Sequence, residues 1–175
     1  MKFLIAAAAF VPLLQAGEEL RPGLVGDYYE IGEEFDDFPA LARRKPFKRL
    51  IDPDIRFDRT SETFGRTTLK LFFCVRWTGL IRIEKAGKVT FTLASDDGSR
   101  LFLDGKLIVN NGGLHGFEEA SGEVELTAGT HQVRLDYFQC GGESGCHLYW
   151  SREDLAKEFV PAGVLMHKKD ADLDR

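Results

Sequence analysis

The feature that most constrains this sequence is the stretch from Val89 to Asn111, where apolar and polar residues alternate on either side of a tight turn. Every second residue from Val89 to Leu93 is apolar, and a period of two is typical of a β-strand with one buried face. The pair Asp104-Gly105 follows later, and Asp-Gly supplies the positive φ angles that a two-residue type I′ hairpin requires. The stretch therefore predicts three short strands, the last two joined as a hairpin.

The length and composition predict one all-β domain. A chain of 175 residues fits within a single domain and is long enough to bury a sizeable core. Its 14 Phe and 18 Gly suit many short strands joined by tight turns. Helical patterns are scarce; the exception is the segment 152–159, where Ser151 could cap a short helix. No internal repeat or linker divides the chain.

The first sixteen residues have the pattern of a secretory signal. Lys2 precedes an apolar run of 12 residues from Phe3 to Leu14, which is too short to span a bilayer as a helix. The alternative is a buried N-terminal strand or helix. We predict a signal peptide over 1–16, a domain over 17–167 and a charged tail over 168–175. The domain is expected to be secreted, either periplasmic or extracellular, with no membrane span.

The charge of the chain argues against one class of partner. The formal net charge is −5, and removal of 1–16 leaves 22 basic against 28 acidic residues. Because phosphate backbones attract basic surfaces, an acidic domain is a poor candidate for binding nucleic acid. The same charge is compatible with a cation site or with a neutral glycan.

Three cysteines are present, and their spacing favours one possible disulfide. Cys140 and Cys146 can form a disulfide across a glycine-rich loop in an oxidising compartment. Cys74 lies in an apolar context and is expected to be a buried, unreactive thiol. No Cys-x-x-Cys spacing exists, so the cysteines do not predict a zinc site.

The segment Ser95–Asn111, S-D-D-G-S-R-L-F-L-D-G-K-L-I-V-N-N, resembles the centre of the protective-antigen fourteen-kilodalton (PA-fourteen) domain family. Other segments match in order, over about Leu24 to His167: 23–29, 73–79, 129–138 and 148–150. The resemblance implies an antiparallel β-sandwich (PA-fourteen-like), with Trp77 in its core. The family occurs in adhesins, glycosidases and toxins, mostly as a carbohydrate-binding or interaction module.

The adjacent acidic residues Asp96 and Asp97 are the first candidate site. Calcium takes six to eight oxygen ligands, several of them carboxylates. Adjacent side chains of a regular strand point to opposite faces, so both can bind one ion only if the peptide between them is unusual. In the sugar-binding branch of the family this pair is joined by a cis peptide and holds calcium. The alternative is an ordinary polar turn, for which Asp-Asp-Gly is also suited.

The resemblance also suggests the rest of a metal and sugar site. Gln139 stands where calcium-dependent members place an Asn ligand, so it is the third candidate metal ligand, with a longer arm. Sugar hydroxyls would replace water on the calcium, and Asn111, His115 and Phe117 are the expected carbohydrate contacts besides the two aspartates. The alternative for Phe117 is packing into the end of the sandwich.

Together these observations predict a secreted, non-catalytic carbohydrate-binding module with calcium as cofactor and a glycan or cell-surface polysaccharide as partner. The alternative is a structural or protein-interaction module that has lost the metal and binds other extracellular proteins. An enzyme is not predicted, because the two glycosidase carboxylates stand about 5–9.5 Å apart across the scissile bond, unlike sequence neighbours. No motif of a catalytic nucleophile is present.

Overall fold

The computed structural model of the protein describes residues 19–169, which form two antiparallel β-sheets packed face to face. The predicted signal peptide, 1–16, and the end of the predicted tail, 170–175, lie outside the described residues. Lys168, which the sequence assigned to the tail, is still paired within a sheet. In the part of the chain that is described, no helix is long and apolar enough to cross a membrane.

The described residues form thirteen β-strands and one short 3-10 helix. The strands are β1 Leu20–Pro22, β2 Leu24–Glu30, β3 Lys48–Asp52, β4 Arg56–Thr60, β5 Phe73–Ile83, β6 Gly87–Asp96, β7 Ser99–Leu103, β8 Lys106–Asn111, β9 Glu118–Leu126, β10 Gly129–Gln139, β11 Ser144–Arg152, β12 Leu155–Phe159 and β13 Leu165–Lys168, with the 3-10 helix at Ala162–Val164.

The larger sheet has eight strands built around β5 and β10. These two strands pair along their whole length, and β10 pairs on its other side with β7. The predicted hairpin then joins β7 to β8, with φ angles of 47° at Asp104 and 78° at Gly105. On the side away from β10, one part of β5 pairs with β2, which pairs in turn with β3. Another part of β5 pairs with β13, which pairs in turn with β1.

The smaller sheet has five strands in the order β12-β11-β6-β9, and β4 pairs with part of β11. Asp96, at the end of β6, lies opposite Gly145 at the start of β11. In the larger sheet, Ser99 at the start of β7 lies opposite Tyr137 near the end of β10. The segments 97–98, 112–117 and 140–143 therefore meet at one end of the sandwich.

The core lies between the sheets and follows the alternation seen in the sequence. Val89, Phe91 and Leu93 of β6 are all fully buried. Trp77 is also fully buried, as predicted, and its indole N–H donates a hydrogen bond to the carboxylate of Asp52 at 2.8 Å. An indole N–H usually finds such a partner when it is buried.

The predicted helix over 152–159 is wrong, because Arg152 ends β11 and Leu155–Phe159 forms β12, which pairs with β11. Phe159 lies opposite Tyr149 across the hairpin, and their ring centroids are 4.4 Å apart. A weak helical preference over eight residues cannot compete with a ladder of hydrogen bonds and an aromatic pair, since isolated short helices are marginal in water.

The predicted disulfide is not formed, since Cys140 and Cys146 are both free thiols. Cys146 is fully buried within the core between the sheets. Cys140 belongs to a second apolar cluster, with Phe138 and Tyr29, and its thiol donates a hydrogen bond to the carbonyl of Phe35 at 2.8 Å. The two side chains therefore lie in different apolar clusters. Cys74 is buried as predicted, and burial raises its pKa.

A substitution at Gly122 should test how closely β9 approaches β8. A Cβ atom built on Gly122 would overlap the carbonyl oxygen of Ile108 and lie 2.9 Å from its carbonyl carbon. We expect Gly122→Ala to lower the free energy of unfolding by about 1–3 kcal/mol, because backbone would have to move. Urea denaturation measures this, with Gly163→Ala as control, since no atom lies within 4 Å of a Cβ built on Gly163. Equal stability of both variants would contradict the close approach.

An ion pair between buried His131 and exposed Asp104 joins the β7–β8 hairpin to the start of β10. The Nδ1 atom of His131 lies 2.7 Å from the carboxylate of Asp104, and its Nε2 atom lies 2.9 Å from the carbonyl of Thr127. Both partners are acceptors, so both ring nitrogens can donate only when the imidazole is protonated. Burial lowers the pKa of His131, but the hydrogen bonds to Asp104 and Thr127 outweigh it and the pKa is raised.

This raised pKa fixes the sign of a pH effect. The stabilisation is fully present below the unfolded-state pKa of about 6.5 and is lost as the pH rises through the higher folded-state pKa. We expect Asp104→Asn to lower the free energy of unfolding most at pH values below about 6.5 and least at alkaline pH. Urea denaturation across this range measures the difference, and a difference independent of pH would contradict the assignment.

Candidate functional site

The residues predicted as the site lie at the end of the sandwich where the loops meet. Asp96 ends β6, and Asp97 begins the connection to β7. The peptide bond between them is cis, as the resemblance implied. The two residues are only 7% and 5% exposed, respectively.

The carboxylate of Asp97 holds two loops against the end of β6. One oxygen accepts hydrogen bonds from the backbone N–H groups of Cys140 at 2.9 Å and Gly141 at 3.3 Å. The other oxygen accepts one from the N–H of His115 at 3.1 Å. Hydrogen bonds to an ionised acceptor are roughly twice as strong as neutral ones. Asp97 therefore fixes the loops 112–117 and 140–143 relative to each other.

Gln139, the third predicted metal ligand, is a buried brace in this structure. Its side-chain oxygen accepts a hydrogen bond from the N–H of Asp97 at 3.0 Å and lies 2.9 Å from the hydroxyl of Tyr137. Its side-chain nitrogen donates to the carbonyls of Gly141 at 2.6 Å and Glu143 at 3.0 Å. The amide oxygen and both amide hydrogens of Gln139 are therefore engaged within the fold. At 0% exposure the side chain braces the loop 140–143 from within.

Tyr137 lies beneath the site and was not among the predicted site residues. Its hydroxyl is 2.5 Å from the carbonyl of Asp96 and accepts a hydrogen bond from the N–H of Gly145 at 3.2 Å. Burial raises its pKa well above the usual value, so the hydroxyl stays protonated. Its alternation with Val133 and Leu135 identifies a core residue, but no sequence pattern shows what a buried hydroxyl bonds to.

The carboxylate of Asp96 differs from that of Asp97 because it accepts no hydrogen bond from residues 19–169. Burial and the neighbouring charge of Asp97 raise its pKa to about 6, against the opposing effects of Arg59 and His115. Two carboxylates that share a poorly solvated site repel each other, and a cation between them removes that cost.

The donor set suits a hard cation only in part. Among residues 19–169, no group of three or more His, Cys, Asp or Glu side chains is placed to hold a metal ion. Asp96 and Asp97 would thus supply the carboxylate ligands, and the remaining oxygen ligands of a calcium ion would be loop carbonyls and water.

His115 lies beside Asp97 and Asn111 lies opposite Ser99, and the polar groups of both are largely engaged. The amide nitrogen of Asn111 donates to the hydroxyl of Ser95 at 3.0 Å. The ring of His115 lies within hydrogen-bond distance of the carbonyls of Asn111, at 3.1 Å, and Gly116, at 2.7 Å. His115 is half-buried at the mouth of the site, whereas Asn111 is buried.

Phe117 packs on the smaller sheet against His147, on the face opposite to the core residues Cys146 and Leu148. Its ring centroid is 5.3 Å from that of His147, and the guanidinium of Arg59 lies 5.6 Å from it. A Cβ atom built on Gly145 would lie 3.1 Å from the ring. Because Gly145 pairs with Asp96, Phe117 borders the site from the side of β11.

The loop 31–47 forms a wall of the site that the sequence did not predict. The rings of Phe35 and Phe38 pack on Phe138, with centroids 5.4 and 4.8 Å away. Arg100 lies 4.2 Å above the ring of Phe38 and donates a hydrogen bond to Asp37 at 3.1 Å. In the sequence, the two phenylalanines within an acidic run indicate that this loop packs on the domain. They do not indicate which part of the sheet the loop covers.

Gly98 completes the Asp-Asp-Gly sequence for a steric reason. A Cβ atom at this position would overlap the ring of Phe138, with its Cζ atom at 2.8 Å, and would lie 3.1 Å from the carbonyl oxygen of Gly113. Only glycine allows such a close approach of the backbone to its neighbours.

The chain belongs to the PA14 domain family, which is the family named PA-fourteen above. The family model described as PA14 domain matches residues 20–163. The β-sandwich predicted from the resemblance is confirmed by the two packed antiparallel sheets.

Relatives with this domain include proteins that are much longer than this chain. The chain is 32% identical over 144 residues to the anti-sigma-I factor RsgI3 of Acetivibrio thermocellus, which covers 82% of this chain and 21% of that protein. It is 28% identical to a solved anti-sigma factor domain-containing protein, with a TM-score of 0.71, over 83% of this chain and 48% of that one. The chain thus spans about a fifth of the length of RsgI3 and about half of the length of the solved protein.

A solved domain of nearly the same length has the same fold. The PA14 sugar-binding domain from an RTX adhesin superposes with a TM-score of 0.73 at 20% identity, over 83% of this chain and 98% of that domain. At this identity the likeness shows the fold alone.

Loss of the brace at Gln139 should destabilise the whole domain. Gln139→Met keeps the size of the side chain but leaves buried partners without hydrogen bonds, each of which costs about 1–3 kcal/mol. We expect a loss of about 3 kcal/mol in the free energy of unfolding, measured by urea denaturation. Gln132→Met on the exposed part of β10 is the control and should stay within about 0.5 kcal/mol of the wild type. A Gln139 variant as stable as this control would contradict the role of brace.

Proposed function

We propose that this protein is a non-catalytic carbohydrate-binding module that acts outside the cytoplasm. The observation that carries the proposal is the pair Asp96 and Asp97, in which one carboxylate anchors the loops and the other accepts no hydrogen bond from residues 19–169. Solved relatives of this fold support it, since one is titled a PA14 sugar-binding domain and another is an epithelial adhesin A domain from Candida glabrata in complex with Galb1-3GlcNAc. The export signal predicted over 1–16 supports the location.

Calcium is the cofactor that we propose for this site. Asp96 and Asp97 would hold it, and a bound calcium ion would offer coordination positions to sugar hydroxyls. The chain itself supplies the surroundings: His115 borders the mouth on one side, and Arg59, paired with Glu143, borders it on the other. Arg59 and Glu143 can form hydrogen bonds with the remaining hydroxyls of a glycan.

A catalytic role is not part of the proposal. The general acid and base of a glycosidase stand on opposite sides of the scissile bond. Asp97 is committed to three backbone N–H groups. Asp96 is its direct neighbour, so the two cannot divide these roles.

The second candidate is a structural or protein-interaction module without a metal. It is favoured by the buried position of Gln139, where calcium-dependent members have a ligand. It is also favoured by the absence, within residues 19–169, of a cluster of three metal-binding side chains. In this alternative, the partners are other extracellular proteins.

Calcium should stabilise the wild-type protein but not the variant Asp96→Asn. A ligand that binds only the folded state at 100 times its dissociation constant adds about 2.7 kcal/mol to the free energy of unfolding. For a domain of this size we expect a rise in Tm of about 5–10 °C, measured by thermal unfolding with a chelator and then with calcium. Asp96→Asn should fold with unchanged or slightly higher stability in chelator, because it removes the repulsion between two carboxylates.

The matched variant Asp97→Asn separates the two roles of the pair. It weakens the anchoring of the loops, so its Tm should fall even in chelator. A calcium response that survives in Asp96→Asn, or no response of the wild type at millimolar calcium, would contradict the proposed metal site. A wild-type protein that ignores calcium and binds no glycan would favour the second candidate.

A further inference from the structure

A cavity of about 450 Å³ lies on the face of the larger sheet that points away from the core. Arg134 of β10 lies opposite Thr78 of β5 on one side and opposite Phe102 of β7 on the other. Val25 of β2 lies opposite Thr78, and Leu80 follows on β5, so apolar side chains form much of the wall. The volume falls within the range of about 300–1,000 Å³ that is usual for small-ligand sites.

Arg134 is held in place in this cavity, but its side chain donates no hydrogen bond to residues 19–169. Its neighbours along β10, Val133 and Leu135, belong to the core, so the alternation of the strand directs Arg134 to the opposite face. The guanidinium lies 3.8 Å from the centroid of the Phe102 ring. Its Nε atom is buried and has no hydrogen-bond partner in the described part of the chain. Buried polar groups nearly always have a partner in folded proteins, and a bound ion or ligand can supply it.

The carboxylate that forms an ion pair with Arg134 is already engaged by another arginine. Asp136 lies 3.4 Å from the Nε atom of Arg134, but it accepts two hydrogen bonds from Arg76, at 2.6 and 3.1 Å. Two guanidinium groups thus share one carboxylate, which leaves a net positive charge. A second anion would complete the pairing.

The lining of the cavity does not offset this charge. The described residues that line it include Arg134 and Lys168 but no Asp or Glu, although the chain as a whole has a net charge of −5. Asp104, in the turn beside the cavity, is engaged by the ring of His131 and by the backbone N–H of Gln132. The cavity therefore favours an anionic ligand.

We propose that this cavity binds a small organic carboxylate, a ligand with one carboxylate group on an apolar body. The planar fork of the Arg134 guanidinium matches the two oxygens of a carboxylate. The walls at Val25 and Leu80 would contact the apolar body, which an inorganic anion lacks. The cavity lies on the outer face of the larger sheet, whereas Asp96 ends a strand of the smaller one. This inference therefore does not depend on the proposed function.

The test titrates the full chain with phenylbutyrate and follows the backbone amide signals by NMR spectroscopy. A ligand of about a dozen non-hydrogen atoms is expected to bind with a dissociation constant in the millimolar range. We expect saturable shifts at Thr78, Phe102 and Arg134. Phenylbutyramide, which is neutral, and acetate, which lacks the apolar body, should each bind at least about tenfold more weakly. No saturable shift with phenylbutyrate, or equal binding of either analogue, would overturn the inference.

A pair of variants assigns the binding to one guanidinium. Arg134→Gln should weaken the binding of phenylbutyrate at least about tenfold, because the charged partner of the carboxylate is lost. The matched control is Arg82→Gln, which removes an exposed arginine of β5 and should bind like the wild type. An equal loss in both variants, or no loss in Arg134→Gln, would overturn the inference. If Arg134→Gln does not fold, the comparison of phenylbutyrate with its amide on the wild type still decides the question.

Discussion

One buried carboxylate holds together the end of this sandwich where the loops 112–117 and 140–143 meet. Asp97 accepts hydrogen bonds from the backbone of two loops, and Gln139 braces the same loops from below. Loops without regular structure need such partners, because their backbone groups would otherwise be buried without hydrogen bonds. Removal of either side chain would leave the end of the sandwich without a fixed shape.

The two neighbouring aspartates have different roles in this arrangement. Because Asp97 is satisfied by the backbone, it contributes to architecture whether or not a ligand is bound. The carboxylate of Asp96 has no hydrogen-bond donor among the described residues and its pKa is raised, so it is the side chain that a cation would stabilise. If Asp97 keeps the loops in place and Asp96 contacts the ligand, the site is preorganised, and preorganisation reduces the free-energy cost of binding.

The loop 31–47 adds the third side of the site through packing rather than hydrogen bonds. Phe35 and Phe38 cover Phe138, and the acidic residues between and beside them are carried to the rim by this contact. The character of the rim thus depends on where two aromatic rings find an apolar partner, a contact that joins residues about a hundred positions apart in the chain.

The sequence by itself determined most of the strands, the hairpin at Asp104-Gly105, the burial of Trp77 and the position of the aspartate pair at the end of a strand. These follow from local rules: alternation, turn chemistry and the order of matching segments. Only the tertiary structure decided that Gln139 is a brace, that Cys140 and Cys146 lie in separate apolar clusters, and that 152–159 pairs as a strand. Each of these depends on the partner that a side chain or backbone meets across the fold, and spacing along the chain does not encode that partner.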